Sequence, residues 1–349
     1  MKPARFREIA SRYPSLRVGV VGDFCLDRYL EIDPAKKEKS IETSLPVYNV
    51  INVRSQPGGA GTIVNNLAAL GVGKIFVIGF CGEDGEGYEL QKSLCKVPRV
   101  STDYFFATPL RRTFTYTKPL VLQRGEVPRE LNRLDLKNWS PTPAAVRQQL
   151  ARGIEALSSK VDSIIVLDQT DIAGTGVVTP DVLKALDAAA RRYPKLFILA
   201  DSRRGLRDFP PFAFKVNRAE MAASLGSKRQ VNLAQLKTAA EVLARKNRQP
   251  IFVTLAEKGL MAASPHGQVE HVPALPVRGE IDIVGAGDAV TANLTAALSA
   301  GAGMREALEI ARAAASVVIH KLGTTGTASV REVKRLVLDP VKAKTVERD

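Results

Sequence analysis

The residues best placed to do chemistry lie in Asp282-Ile-Val-Gly285-Ala286-Gly287-Asp288, which runs directly into Ala-Val-Thr-Ala-Asn-Leu-Thr-Ala-Ala-Leu-Ser-Ala-Gly301. The second part has the spacing of an amphipathic helix, with Val290, Leu294, Ala297 and Leu298 on one side and Gly301 as its stop. The first part therefore delivers three small residues onto a helix N-terminus. Amide groups there lack intrahelical partners and the helix dipole adds positive potential, so the turn is suited to an anion such as phosphate. A carboxylate at the mouth of such a site makes chemical sense if Asp288 accepts the proton of a hydroxyl attacking the bound phosphoryl group. The alternative is a helix cap worth about 1 kcal/mol.

A second glycine cluster, Gln56-Pro-Gly58-Gly59-Ala60-Gly61-Thr62, opens another helix that contains Asn65 and Asn66. Neither cluster is followed by Lys-Ser/Thr, and neither forms GxGxxG directly after the first strand, so the Walker and dinucleotide fingerprints both fail. Gly82-Glu-Asp-Gly-Glu-Gly87 is glycine-rich but acidic and reads as a loop. Asp23 and Asp27, in Gly22-Asp-Phe-Cys-Leu-Asp-Arg28, fall at the C-terminal end of the first strand. Open α/β sheets bind ligands there, and carboxylates accept hydrogen bonds from sugar hydroxyls.

The elements that must position these residues alternate along the chain. Leu16 to Gly22, Lys74 to Gly79, Ser163 to Leu167, Leu196 to Ala200, Phe214 to Val216 and Ile251 to Thr254 are short runs rich in branched or aromatic residues. Helical patterns lie between most of them, at Thr62 to Leu70, Thr142 to Leu157, Thr179 to Tyr193 and Asn232 to Arg245, with a further one from Met304 to His320. This order predicts an α/β fold with a mostly parallel central sheet covered on both faces. Two stretches, Tyr29 to Val53 and Asp103 to Val121, alternate instead like exposed antiparallel strands. They are expected to form a small β-strand lid that excludes water from a reacting phosphate, or a flap through which two copies pair.

Composition narrows the function classes. The chain has 349 residues, is 45% hydrophobic and 25% charged, and carries a net charge of +14. That basic balance has no recognisable nucleic-acid module with it, and Arg111-Arg112 and Arg203-Arg204 read as local surface clusters. It suits a small polyanion such as a nucleotide or sugar phosphate. No eighteen-residue apolar run predicts a membrane span, and the basic N-terminus lacks the apolar stretch of a secretory signal. Three scattered cysteines (Cys25, Cys81, Cys95) and three histidines predict neither a disulfide framework nor a zinc site, and a reducing cytoplasm is the expected compartment.

Taken together, Gly58-Gly59-Ala60, Asn217-Arg-Ala-Glu220, Val253-Thr-Leu-Ala-Glu-Lys-Gly259 and Asp282 to Asp288 resemble, in order, the motifs of ribokinase-like carbohydrate kinases, the PfkB family. The resemblance spans roughly residues 16 to 335. Val21 to Tyr29, Asn132-Arg-Leu-Asp135 and Lys321-Leu-Gly-Thr-Thr325 look most like the kinase domain of heptose-7-phosphate kinase/adenylyltransferase proteins, whose adenylyltransferase half has no counterpart here. The resemblance implies a ribokinase-like three-layer sandwich over residues 16–335, with the lid from about 29–53 and 103–121. Residues 1–15 would be an N-terminal extension and 336–349 a C-terminal tail.

It also implies roles. Asp288 would be the general base, and the amides of Gly285, Ala286 and Gly287 the anion hole. Asp27, Gly58, Gly59, Asn66 and Arg133 would hold a small-molecule sugar or sugar phosphate. Asn217, Glu220, Thr254, Gly259 and Gly323 would line the ATP site, with Glu220 organising Mg²⁺ through water. Asp282, with the segment around Gly323, would sit where relatives bind a monovalent cation such as K⁺. The chain departs from the family pattern at Thr62, Ala256 and Val284. The expected activity is transfer of the ATP γ-phosphoryl group to a sugar hydroxyl. A nucleoside kinase ranks lower, because Trp139 is the single tryptophan and no base-stacking platform is evident. A non-catalytic sensor would have no use for Asp288.

Overall fold

The computed structural model of the chain describes residues 1–123, 125, 128–206, 208–224 and 231–339. After α1 (Pro3–Arg12) come β1 (Arg17–Gly22), the long β2 (Phe24–Lys39) and β3 (Pro46–Gly59), α2 (Ala60–Ala69), β4 (Lys74–Gly82), α3 (Gly85–Lys96) and β5 (Val100–Thr108). Then follow β6 (Phe114–Val121), β7 (Arg129–Glu130), β8 (Leu134–Leu136), α4 (Ala144–Ser158), β9 (Ser163–Asp168), α5 (Pro180–Arg192), β10 (Phe197–Ser202) and β11 (Ala213–Asn217). The C-terminal part holds α6 (Arg218–Ser224), α7 (Leu233–Asn247), β12 (Ile251–Thr254), β13 (Leu260–Ala263), β14 (Val269–Val272), α8 (Ala286–Ser299), α9 (Met304–Val318) and α10 (Val330–Leu338).

Among the described residues, nine strands form one sheet in the order β14-β13-β12-β11-β10-β9-β1-β4-β5. Its members are parallel from β12 to β5, and only β13 and β14 run antiparallel. All six residues of β9 are buried, which is why it reads as an unbroken apolar run rather than an alternating one. One face packs Val18, Val20 and Ile165 under α1, α2, α8, α9 and α10, through residues such as Phe6, Ile63, Leu294, Ile310 and Val333. The other packs Val21, Ile164 and Val166 under α4, α5 and α7, through Leu150, Leu186 and Leu236. No helix among the described residues is long and apolar enough to cross a membrane.

A second sheet, β3-β2-β6-β7 with β8 on β6, stands on the C-terminal end of the first. It is the expected lid, with one correction. The stretch 103–121 divides: β5 joins the main sheet beside β4, and only β6 belongs to the lid, parallel to β2. As the edge strand, β5 has a half-buried alternation that mimics a lid strand in sequence. Residues 1–15, expected as an extension, place Phe6, Ile9 and Tyr13 in the core. The segment 82–87 is not simply a loop, since Asp84 caps α3 by accepting from the Gly87 amide and also takes the Thr113 amide and hydroxyl. The tail expected at 336–349 is helical to Leu338, and its part from Pro340 onward lies outside the described residues.

Asp23 joins the two sheets. Its carboxylate accepts the amides of Val177 (2.6 Å), Gln169 (2.8 Å) and Thr170 (3.2 Å), and its carbonyl accepts the Ala60 amide (3.0 Å) that starts α2. The reading of Asp23 as a sugar acceptor is therefore corrected: both oxygens are already bonded and the residue is 2% exposed. Burial, reinforced by the Asp168 charge, pushes its carboxyl up to about 7. Removing it strands the buried amides of Thr170 and Val177, each costing roughly 1–3 kcal/mol, and the half-buried amide of Gln169. Asp23→Ala should thus lose about 3 kcal/mol or more in urea unfolding, and a loss below about 1 kcal/mol would show that the joint is dispensable.

Candidate active site

α8 opens at Gly285, whose φ of +81° is a left-handed conformation that a side chain would strain. Its carbonyl accepts the Ala289 amide at 2.9 Å. The amides of Gly285, Gly287 and Asp288 have no hydrogen-bond partner among the described residues. The Ala286 amide, expected in the same anion hole, donates instead to the Ile283 carbonyl at 3.2 Å. The turn tightens there because Asp282 Oδ1 takes the Val284 amide at 3.0 Å while the Asp282 amide is tied to Ile319 O at 2.8 Å. The available donors are therefore Gly285, Gly287 and Asp288.

Asp288 sits partly buried on the first turn of α8. Burial, then the Asp201 charge, pushes its carboxyl up to about 7, with Asp27 adding to the rise, while Lys215 and Arg203 oppose it. A carboxylate poised near neutrality is matched to general-base work.

Across the cleft, Asp27 lies on β2 and is 8% exposed. Gly58 on β3 packs flat against it: a methyl group there would fall 2.5 Å from the Asp27 carboxyl carbon. Burial raises the Asp27 carboxyl, and Lys118 and Arg133 pull it back. Lys118 Nζ rests 5.3 Å from the Tyr29 ring centre and makes no ion pair among the described residues. Arg133, from the lid, stacks over Tyr116 at 5.1 Å and pairs with Asp135 at 3.1 Å. Gly59, with φ +56°, is the cap of α2.

Asn66 departs from its expected role. It is fully buried, and its amide nitrogen donates to the carbonyls of Thr62 (3.0 Å) and Gly326 (3.5 Å) while its oxygen accepts from the Ala328 amide (3.4 Å). It is a strut that fixes the 326–328 segment against α2, a task that suits an amide able to donate and accept at once. Thr62 is also buried, its methyl 3.5 Å from where a Gly285 side chain would begin.

Asn217 and Thr254 end neighbouring parallel strands and stand side by side. Asn217 Oδ1 takes the Glu220 amide at 2.8 Å, and Glu220 accepts the Asn217 amide and Nδ2 at 2.7 Å each, a reciprocal cap of α6. Burial raises the Glu220 carboxyl. Gly259 closes the turn after β12 with φ +92°, and Ala256 in the same turn is held at φ +51°, where a methyl group costs roughly 1–2 kcal/mol. Gly323 is exposed, and the neighbouring Thr325 packs against Gly285 while both Thr324 and Thr325 bond the Gln56 side chain.

Two charged residues were missed from sequence. Lys215, on β11, is buried and paired with Asp201 at 2.6 Å, directly under α8. The signal was a lysine inside the apolar run Ala213-Phe-Lys-Val216. Nor are the arginine clusters only surface charge: Arg204 bonds the buried Asp168 at 2.7 Å, and Arg111 is buried against the carbonyls of Ser140 and Pro141.

Comparison with known proteins shows the family to which the chain belongs. The profile of the pfkB family carbohydrate kinases matches residues 23–331. The chain is 30% identical over 334 residues to the bifunctional protein HldE of Bradyrhizobium sp. (strain ORS 278), covering 95% of this chain and 66% of that protein. It is 31% identical over 325 residues to HldE of Gluconobacter oxydans (strain 621H), covering 92% and 64%. It therefore spans about two thirds of the length of these relatives. Similar solved structures include phosphofructokinase-2 from Escherichia coli in complex with substrates and products (TM-score 0.71, 17% identity, 93% of this chain and 98% of that one). Arabidopsis thaliana ribokinase complexed with ribose and ATP gives a TM-score of 0.62 at 18% identity, over 94% and 99%.

The contact between Gly58 and Asp27 can be tested directly. Gly58→Ala drives a methyl group into the carboxyl group and must displace it. We expect the sugar KM to rise about tenfold or more, as for loss of a charged hydrogen bond, with the ATP KM nearly unchanged. Steady-state kinetics in both substrates checks this, and equal rises in both KM values would mean that the whole cleft had shifted.

Proposed function

The chain belongs to the pfkB family of carbohydrate kinases, and we propose that it phosphorylates a hydroxyl of a sugar that already carries an anionic group, with Asp288 as the general base. The observation that carries this reading is the convergence of the half-neutral Asp288, the amides of Gly285, Gly287 and Asp288 that have no partner among the described residues, and the buried Asp27. Asp27, packed on Gly58, accepts hydrogen bonds from the sugar and orients the reacting hydroxyl. Asp288 takes its proton as the oxygen attacks the γ-phosphorus. The bond to the bridging oxygen of ATP breaks, ADP leaves, and the charge on the transferred group is met by the amides at the start of α8.

Mg²⁺ fits the chemistry of the donors at the other end of the cleft. A carboxylate and an amide, Glu220 and Asn217, locked to each other by three hydrogen bonds, offer oxygen atoms to a hydrated ion rather than a dry cage. When bound, the ion neutralises the ATP phosphates. Thr254 and Gly259, at the end of β12 and in the turn after it, lie along the nucleotide in this reading. Asp282 beside the 323–325 segment is the proposed place for a monovalent cation.

The anionic substituent is argued from charge. Around Asp27, Arg133 is paired with Asp135 and Arg54 with Glu31, so the cation left to meet an anionic group is Lys118. Lys118 makes no ion pair among the described residues, stands beside Asp27 and rests over the Tyr29 ring. The resemblance to heptose-7-phosphate kinases points the same way.

Two measurements test the reading. Asp288→Asn should keep ATP binding and cut turnover about a hundredfold or more. In the unaltered protein the Asp288 carboxyl is raised, so it holds its proton below about pH 7 and is idle. It ionises above that pH, and kcat should climb across the transition. Wild-type-like turnover in the variant would reduce Asp288 to a cap.

ATP consumption with paired sugars and sugar phosphates should favour the phosphorylated partner by at least about tenfold in kcat/KM, the worth of one charge-assisted contact. Lys118→Met should erase most of that preference. Equal use of both partners by the unaltered protein would sink the anionic-substrate reading while leaving the kinase intact.

A further inference from the structure

Below the anion hole lies a charge pair that neither the proton transfer nor substrate binding just described uses. Lys215 Nζ is 2.6 Å from Asp201 Oδ2, and the same oxygen accepts the Thr291 hydroxyl at 3.1 Å. The pair thereby ties β10 and β11 to the second turn of α8. A methyl group on Gly287 would stand 3.4 Å from the Lys215 nitrogen, so the ammonium lies immediately behind the backbone that receives the phosphoryl group. Both side chains are less than a tenth exposed. A buried ion pair of this kind is seldom more stable than an apolar pair of equal volume. Stability alone therefore gives no reason for two charges here.

We infer that Lys215 and Asp201 are positioning residues that set the charge state of Asp288 from beneath α8, the lysine favouring its carboxylate and the aspartate opposing it. The inference rests on Asp288 being the general base. Among the described residues, the side chains that bear most on Asp288 come from three parts of the fold. Asp201 comes from β10, Arg203 from the turn after it, Lys215 from β11, and Asp27 and Cys25 from β2. Glu220, on α6, faces Lys215 in turn. The Cys25 thiol is pushed well up by burial and stays neutral. Among the charged groups Asp201 raises the Asp288 carboxyl most and Lys215 is the leading opponent. The two members of one pair thus pull the base in opposite directions. A pair this close to the reacting charge can place the base near neutrality, where neither partner alone would leave it.

That opposition supplies a signature that a packing role cannot imitate. The pH profile of kcat at saturating substrates would be recorded for the unaltered protein, Lys215→Gln, Asp201→Asn and the double variant, with Asp288→Asn as the reference for the base. Loss of the lysine should move the acidic limb up by about one pH unit, and loss of the aspartate should move it down by a similar amount. The double variant should bring it back near its starting point. The ATP γ-phosphate also titrates near this range, but identically in every variant, so differences between the profiles belong to the protein. Limbs that coincide, or that move the same way in both single variants, would overturn the inference. If Lys215→Gln fails to fold with Asp201 left unpaired, Asp201→Asn and the double variant still give the sign. An active Asp288→Asn would instead defeat the general-base reading. An inactive one combined with unmoved limbs defeats the pair's role alone.

Discussion

A single buried carboxylate holds the two sheets in register. Asp23 follows directly on β1 and is taken out of water entirely, which is affordable only because backbone amides replace the water. Those amides come from the segment after β9, and the Asp23 carbonyl receives the first amide of α2. Three chain segments far apart in sequence are thereby pinned to one point. The consequences for the site are positional. Asp27 lies four residues beyond the joint on β2, Gly58 and Gly59 of β3 stand opposite Cys25 and Phe24, and Thr62 in the first turn of α2 lies beside the Gly285 turn. If the joint shifted, every one of these contacts would shift with it.

The cleft built on that joint is crowded with charges that would repel one another in isolation. Asp27 and Asp288 feel one another's charge, Lys118, Arg133 and Arg203 act against them, and the buried Lys215–Asp201 pair lies beneath α8. Burial makes each interaction stronger than it would be in water. The site can therefore hold a base near its neutral point while still presenting amides to an anion. The excess of basic residues, 50 lysines and arginines against 36 acids, is consistent with a protein whose ligands are phosphates.

Much of this was legible in the sequence because it is local. Apolar runs such as Ser163 to Leu167 announced buried parallel strands, and Gly285-Ala-Gly-Asp288 announced a helix start able to meet an anion. What stayed hidden depends on partners distant in the chain. Asp23 and Asp27 look alike in sequence, yet one is bonded by amides from residues 169 to 177 and the other, buried as well, takes only a long contact from the Cys25 thiol among the described residues. Asn66 looked like a ligand contact until Gly326 and Ala328 arrived beside it. The β5 edge strand showed the alternation of an exposed sheet because one of its faces is only half covered. Ala286 lost its place among the free amides to a turn set by Asp282. Lys215 was concealed by its own strand, since only the fold shows that Asp201 and α8 are its neighbours.

The lid is tied at its root and lightly held at its tip. At the root, Gln56 on β3 bonds both Thr324 and Thr325, and Thr325 packs on Gly285, so the lid strand and the start of α8 share one small segment. On the other side Arg28 pairs with Glu86 and Glu89 of α3, and Ser55 bonds Glu89 at 2.8 Å. Beyond Ile32 the pairing of β2 with β3 slips out of register, and Ile41, Leu45 and Tyr48 stand exposed. Segments with few buried contacts open at lower free energy than the elements they join. In the proposed reading the tip is the part that would close over a bound sugar, while the root is joined to Gly285 through Thr325. Substrate hold and phosphoryl hold would, in that reading, be joined through the same few side chains that connect Gln56 to the turn before Asp288.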